Sequence, residues 1–487
     1  MYSDLQLTED RPVYIQVKDY MKRLMLKGGL QAKQKLPSTR ELSTLMKVSR
    51  STILLAYAEL EEEGLIYAVK GKGNYVSSTI DAPEATSGWQ LDWNERVSDY
   101  AIQAEQYDLM KHGSGSERGE ISFTSIAPDE KLFDMHNVKR AFLDRMSLEG
   151  EVLLNYGYAQ GYRPLMKYLL QYMENKGVDL SGKDILITNG FTEGFDLVLG
   201  ALRKQSGRAL CENPTHHTAV KNLRLHQFHL TGVDMESDGL DLRQLERELE
   251  ASPYDLAYLV PSYHNPTGIV TSPAKRTEII RLMNQYQVPI IEDGFNEELR
   301  YSGSHVSPLI ASVGKGNGLV YLGSFSKVLF PGLRVGWVIA DAALIDYLES
   351  MKRARSIHTS TLDQSLLYQY LSNGNFEKYL KRARTEYKRK YELVVRCLRQ
   401  YLPMCRVSGE GGLHLFVQFP PEYHTRELLA ACKAKGVTFM PGDTFYLEPG
   451  QGQNTMRMGF SRVSDENIRK GIRIIGETVA QMRGGFT

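Results

Sequence analysis

Two hydrophobic rhythms run along this chain. Near the N-terminus the apolar positions follow short helical patterns. In "YIQVKDYMKRLML", Ile15, Val17, Tyr20 and Leu24 fall near one helical face, and Gly28-Gly29 ends the run. Ser38-x-x-Glu41 matches a capping box, so a second helix is predicted to begin at Ser38. A third follows Val48, with Ser49 as its N-cap and Leu55, Ala58 and Leu60 as its apolar positions. "GLIYAVKGKGNYVS" then gives two β-rich runs around Gly71-Lys72-Gly73, which read as a hairpin. Short helices closed by a basic hairpin predict a winged helix-turn-helix over residues 1–78.

Residues Ser77 to Gly88, "SSTIDAPEATSG", are small, polar and interrupted by proline, and 79–88 is predicted to be a linker. From about Trp89 the rhythm changes. Strand-length apolar runs ("DILITNG", "RALCE", "LAYLVPS", "VPIIEDG", "GLVYLGS", "RVGWVIA") alternate with helical stretches. That alternation predicts an α/β fold, a mostly parallel sheet covered by helices on both faces. The basic run "KRARTEYKRK", Lys381 to Lys390, is placed on the solvated face of a long helix rather than taken as a second nucleic-acid patch.

The 487 residues leave room for two to four domains and a large core. With 42% hydrophobic and 24% charged residues and a net charge of +1, whole-chain charge selects no partner. Its distribution does. Met1 to Ser78 holds 12 Lys/Arg against 9 Asp/Glu, and between Arg11 and Arg50 the count is 10 against 2, a positive potential suited to nucleic acid. Cys211, Cys397, Cys405 and Cys432 have neither CxxC spacing nor a disulfide pattern, which fits a reducing cytosol and no metal site. A polar N-terminus and the lack of a membrane-length apolar run predict a cytoplasmic protein.

Four short stretches carry chemistry. Lys327 follows the run "GLVYLGS" and lies among Ser324, Ser326 and Arg334. A lysine that condenses with an aldehyde beside hydroxyls and an arginine that hold a phosphate is one reading; a surface lysine is the other. Asp293 ends an apolar run where its carboxylate could pair with a pyridinium nitrogen, or merely cap a helix. Asn265 in "SYHNPTG" could reach a phenolic oxygen, or serve an Asn-Pro turn. "TNGFTEG" sets the amides near Gly190, Phe191 and Thr192 at a helix N-terminus, where anions bind.

Taken in order, Gly190, Asn265, Asp293 and Lys327 resemble a fold-type I aminotransferase of the aminoadipate aminotransferase subgroup, over about four fifths of the chain. The N-terminal part resembles a GntR-type winged helix-turn-helix through "KLPSTRELSTLMKVSRSTILLAYAELEEEGLI" and "GKGNYV". Together they are similar to the MocR/GabR family of transcription regulators. The resemblance implies a PLP-binding effector domain over 89–487, with a smaller C-terminal α/β subdomain at about 371–487, and a homodimer.

Carried over by position, the resemblance makes Lys327 the Schiff-base lysine, Asp293 the pyridine-nitrogen partner and Asn265 the O3′ partner. Ser324, Ser326, Arg334, Thr192 and the amides around Phe191 become phosphate ligands, and Tyr156 a ligand of the phosphate held mainly by the other subunit. Arg457 falls where aminotransferases bind the substrate α-carboxylate, and Arg462 matches the arginine that meets the effector in γ-aminobutyrate-responsive members. There are three departures. Phe191 replaces a small hydroxyl residue, and Phe295 a tyrosine. His216 stands where a stacking Tyr or Trp is expected, and a partly cationic imidazole is a different neighbour for a pyridine.

In the head, Arg50, Ser51 and Thr52 open the third helix and are the base-reading candidates. Ser38, Thr39, Arg40 and the wing residue Lys72 are phosphate candidates. The acidic cluster Glu59, Glu61, Glu62 and Glu63 falls at the far end of the third helix, away from phosphates. The implied function is a DNA-operator-binding regulator in which an amino-acid effector forms an external aldimine with PLP. A working aminotransferase with a vestigial head, or a regulator of PLP itself, stays open, since the lysine, aspartate and arginine are all present.

Overall fold

A computed structural model describes residues 11–78, 91–108, 119–202, 207–294, 297–301 and 306–484, together with Tyr2, Leu5, Leu7 and Thr8. The chain divides into two compact units, Met1–Val97 and Ser98–Thr487, and the predicted linker 79–88 lies outside the described residues.

The first unit holds helices α1 (Val13–Leu26), α2 (Thr39–Met46) and α3 (Arg50–Glu62) and an antiparallel hairpin, β1 (Ile66–Val69) with β2 (Gly73–Val76). Local chemistry starts both short helices. The Ser38 side chain accepts from Glu41 N–H while the Glu41 carboxylate accepts from Ser38 N–H, and Ser49 Oγ accepts from Thr52 N–H.

The inward faces differ from the predicted ones. In α1 the buried stripe is Val17, Met21 and Met25, while Ile15, Tyr20 and Leu24 are only half-buried. Gln16 is buried beside the stripe because its carboxamide is satisfied by Thr8 and by the Arg11 carbonyl. In α3 the stripe is Ile53, Ala56, Tyr57 and Leu60, and the predicted Leu55 and Ala58 are exposed. Tyr57 turns the helix this way, burying its ring and donating its hydroxyl to Pro37 O at 2.9 Å. The acidic end of α3 is tied to α1, where Glu63 meets Lys18 at 2.9 Å and Lys22 at 2.6 Å.

In the second unit the six apolar runs all become strands: β3 (Lys183–Thr188), β4 (Arg208–Asn213), β7 (Leu256–Leu259), β8 (Ile290–Asp293), β9 (Leu319–Ser324) and β10 (Gly336–Asp341). With β5 (His229–Glu236) and β6 (Gly239–Leu240) they make an eight-stranded sheet in the order β3-β10-β9-β8-β7-β4-β5-β6. Strand β10 is antiparallel to both its neighbours and β6 to β5; the other pairings are parallel. Strands β7, β8 and β9 are almost wholly buried, as a sheet covered on both faces requires.

Helices on this frame include α4 (Gly190–Leu202), α5 (His217–Leu225), α6 (Ala342–Ser356) and α7 (Asn375–Tyr401). The basic run lies within α7. Lys381, Arg382, Lys388 and Arg389 are exposed there, whereas Lys390 turns inward onto Asp129 at 3.1 Å. A smaller antiparallel sheet follows: β11 (Arg406–Ser408), β12 (His414–Gln418), β14 (Thr455–Gly459) and β13 (Met440–Pro441), in that order. Among the described residues no helix is long and apolar enough to cross a membrane.

Candidate cofactor site and nucleic-acid interface

The C-terminal ends of β3, β4, β7, β8 and β9 open on one edge of the large sheet, where α/β folds bind ligands. Gly190, His216, Asn265 and Lys327 follow those ends, and Asp293 is the last residue of β8.

One corner of this edge is built for an anion. Helix α4 starts at Gly190, so its first amides have no partner within the helix. Gly190 adopts φ +77°, and a Cβ there would stand 2.6 Å from Arg334 Nη2. Across the turn a Cβ on Gly336 would stand 2.6 Å from the Gly190 carbonyl carbon, so the two backbones touch. Arg334 donates to Asn189 O at 3.4 Å, and the Ser324 and Ser326 hydroxyls are 3.0 Å apart. Thr192 is exposed on the first turn of α4, while Phe191 stacks on Phe195 at 5.4 Å and offers only its amide.

Next to it lies a polar group built from buried residues. Tyr258 Oη donates to Asp293 Oδ2 at 2.7 Å. Burial, with Glu212 and Glu297 adding to it, pushes the Asp293 carboxyl up to about 7 against that hydrogen bond. A pyridinium proton would give this carboxylate the counter-charge it lacks. His216 Nδ1 stands 4.0 Å from the same oxygen. Burial, then the neighbouring His217, Lys327 and Arg457, holds His216 well below the usual histidine range. The imidazole is therefore neutral, which removes the expected difficulty of a partly cationic ring beside a pyridine. Burial also lowers Lys327, with help from Arg457 and Arg334 and against Asp293, to about 8.

Arg457, on β14, is 3% exposed. Its guanidinium lies 4.8 Å from the Phe445 ring centroid and donates to Asn265 Oδ1 at 2.8 Å and Thr124 O at 3.3 Å. It meets no carboxylate among the described residues, and its Nε has no hydrogen-bond partner. Burial accordingly drives the guanidinium down from its ordinary range. The Asn265 amide nitrogen is likewise buried without a partner. A buried cation without an anion and an amide without an acceptor are costly in isolation. A ligand bearing a carboxylate and a phenolic oxygen would satisfy both.

Two residues from the sequence lie apart from this group. Tyr156 is 79% exposed, edge-on to His358, and Arg462 is exposed in an ion pair with Glu130 at 2.8 Å. Arg462 thus meets Glu130 at the surface, and no hydrogen bond joins it to Arg457 among the described residues. Phe295 lies outside the described residues. Three side chains went unread in the sequence. Tyr258 was hidden inside the apolar run "LAYLVPS", while Phe445 and His217, whose rings are 5.7 Å apart, sit in stretches with no local signature.

In the first unit, Arg50 opens α3 and its Nε donates to Thr39 Oγ1 at 3.4 Å, joining the starts of α2 and α3. Ser51 and Thr52 both bond the capping Ser49, at 2.8 and 2.7 Å. Arg40, Arg50 and Lys72 are exposed and enter no ion pair among the described residues. Ser38, Thr39 and Arg40 stand at the start of α2 and Lys72 in the β1–β2 turn.

A family model described as aminotransferase class I and II matches residues 125–475, and one described as bacterial regulatory proteins, gntR family, matches residues 13–76. The uncharacterized HTH-type transcriptional regulator YisV of Bacillus subtilis (strain 168) is 28% identical over 480 residues, 97% of each chain. The α-aminoadipate aminotransferase LysN from Thermus thermophilus, solved with N-(5'-phosphopyridoxyl)-L-leucine, is 27% identical. It superposes with a TM-score of 0.74 over 81% of this chain and 100% of its own. Kynurenine aminotransferase from Pyrococcus horikoshii, solved with PMP, is 26% identical, with a TM-score of 0.76 over 80% of this chain and 98% of its own.

Proposed function

The chain belongs to the class I and II aminotransferases, carries a gntR-type DNA-binding domain ahead of that fold, and from this premise we propose that it senses an amino acid. Its cofactor is pyridoxal 5'-phosphate, as in the solved relatives that hold its derivatives. When bound, that group supplies an aldehyde which joins covalently to an amine and a ring that draws electron density from the carbon beside it.

The chain's own residues take these parts. The Gly190, Phe191 and Thr192 amides, Ser324, Ser326 and Arg334 would hold the phosphate. Asp293, which accepts from Tyr258, would pair with the ring nitrogen, and the neutral His216 would lie beside the ring. Asn265 would donate its unpartnered amide to the phenolic oxygen. Lys327, with an amine lowered to about 8, is neutral often enough near pH 7 to join the aldehyde. An α-amino acid's amine would take the place of the Lys327 amine, and Arg457 would hold its carboxylate with paired charge-assisted hydrogen bonds.

The buried Arg457, which has no carboxylate partner among the described residues, is the single observation that carries this reading. It favours an α-amino acid over an amine without a carboxylate, and alanine of either hand is small enough to serve as the first probe. Displacing Lys327 then alters how the DNA-binding units engage an operator, with Arg50, Ser51 and Thr52 reading bases and Ser38, Thr39, Arg40 and Lys72 holding phosphates. Tyr156 is exposed, as are the apolar Leu143, Leu148, Val152, Leu154 and Tyr158 along the same stretch of chain, and a second copy of the chain would cover such surface. In such a homodimer Tyr156 would serve the partner's phosphate.

The test is spectroscopic. The PLP-loaded protein is expected to change its visible absorbance on adding alanine but not ethylamine at equal concentration. A response to γ-aminobutyrate with none to any α-amino acid would sink the assignment of Arg457. Because Lys327, Asp293 and Arg457 stand together, slow transamination is a second reading, measured by keto-acid formation in the same samples.

A further inference from the structure

Helix α6 packs on β3 and α4 beneath the phosphate corner, and near its end it carries a charge where an apolar residue would be expected. Lys352 is completely buried, yet it forms no ion pair among the described residues. Its ammonium donates to two backbone carbonyls, Ala159 O and Ile187 O, each at 2.6 Å. Burial pushes its pKa down to about 8, against Glu193 and Glu349. A buried ammonium held only by carbonyls costs more than a methionine or leucine filling the same space, so core packing does not explain it.

The two carbonyls belong to two segments of the site. Ile187 lies in β3 just ahead of the Thr188-Asn189-Gly190 turn, and Ala159 lies in the connection that bears Tyr156. The end of α6 reaches the same turn by a second route. Ser356 Oγ donates to Glu193 Oε1 at 2.7 Å, and Glu193 accepts from Asn189 N–H at 2.5 Å and Nδ2 at 2.9 Å. Arg334 then donates to the carbonyl of that asparagine. Neither route touches Asp293, Asn265 or Arg457, which face the ring and the effector.

We propose that Lys352 is a positioning residue for the cofactor phosphate: by clamping Ile187 O and Ala159 O it fixes the turn whose amides, with Arg334, receive the anion. The proposal rests on the placement of the phosphate at Gly190. Its signature is selectivity, because a defect in the turn should weaken pyridoxal 5'-phosphate and spare pyridoxal, which presents the same aldehyde and ring without the phosphate.

The experiment titrates the full-length apoprotein with each compound by absorbance, for the parent, Lys352→Met, Ser356→Ala and Arg334→Gln, with the apoprotein Tm measured alongside. Lys352→Met is expected to weaken PLP by about tenfold or more, in the range found for outer supports of a bound group, and to change pyridoxal by less than about twofold. Ser356→Ala should lose PLP selectively by a smaller factor. Equal losses for both compounds, or none, would overturn the role of Lys352. If Lys352→Met does not fold, Lys352→Gln, which keeps a donor but lacks the reach to bridge both carbonyls, is read on the same criterion. Should Arg334→Gln fail to lose PLP selectively, the phosphate placement itself is wrong. If Arg334→Gln is selective while Lys352→Met and Ser356→Ala are neutral, only the positioning role falls.

Discussion

Replacing Arg457 by leucine removes the cation that we propose receives the effector carboxylate. Arg457 is 3% exposed, donates hydrogen bonds to Asn265 and Thr124, and has no ionic partner among the described residues. Leucine therefore relieves a desolvated charge and loses two neutral-acceptor bonds, opposing effects of similar size, so the stability change should stay within about 2 kcal/mol. With an amino acid bound the balance differs. Truncating one partner of a buried, hydrogen-bonded charge pair costs about 2–5 kcal/mol, which is a loss of affinity from about 30-fold to several thousandfold. The assay is the alanine titration of the PLP-loaded variant, followed by visible absorbance and compared with ethylamine, which has no carboxylate to lose. Retained alanine affinity, or equal losses for alanine and ethylamine, would refute the carboxylate role of Arg457.

The remaining expectations concern the lysine and the head. Lys327→Ala should abolish the visible band of the covalently attached cofactor and its change on borohydride treatment; an unchanged spectrum sinks the attachment site. Because the Lys327 amine is lowered to about 8, its neutral fraction should rise about tenfold per pH unit below that value. The rate of cofactor attachment should then climb and level off near pH 8, whereas an unshifted lysine would keep climbing past pH 10. In the head, Arg50→Ala should cost about 1–3 kcal/mol of specific DNA binding and relax base preference. Lys72→Ala should mainly reduce the salt slope, by about one, and identical sequence-independent losses would contradict that division.

Much of this was legible in the sequence because the signals are local. The capping box at Ser38–Glu41, the cap at Ser49 and the turn at Gly71–Gly73 each depend on residues close along the chain. The apolar runs of the large sheet stood out because strands buried on both faces need no polar alternation. The stripes of α1 and α3 depart from the simple periodicity where a partner outside the helix decides. Gln16 is buried by bonds to Thr8 and Arg11, and Tyr57 by its bond to Pro37. In the site, Asp293, Asn265 and Lys327 follow strand ends, whereas Tyr258, Phe445 and Lys352 matter only through contacts between segments far apart in sequence. Arg462 shows the converse: its position in the chain resembles an effector ligand, while its exposed ion pair with Glu130 depends on another part of the chain that no local pattern announces.

The central claim is that an amino acid acting through the cofactor on Lys327 changes how the protein engages DNA. Its most direct test is fluorescence anisotropy on a duplex enriched from a random pool by the PLP-loaded protein, titrated with and without alanine, for the parent and Lys327→Ala. The amino acid is expected to shift the parent's DNA affinity or the size of its complex, and Lys327→Ala to bind the duplex while ignoring the amino acid. A response that survives in Lys327→Ala, or a parent that turns over alanine while its DNA binding stays indifferent to it, would contradict the claim.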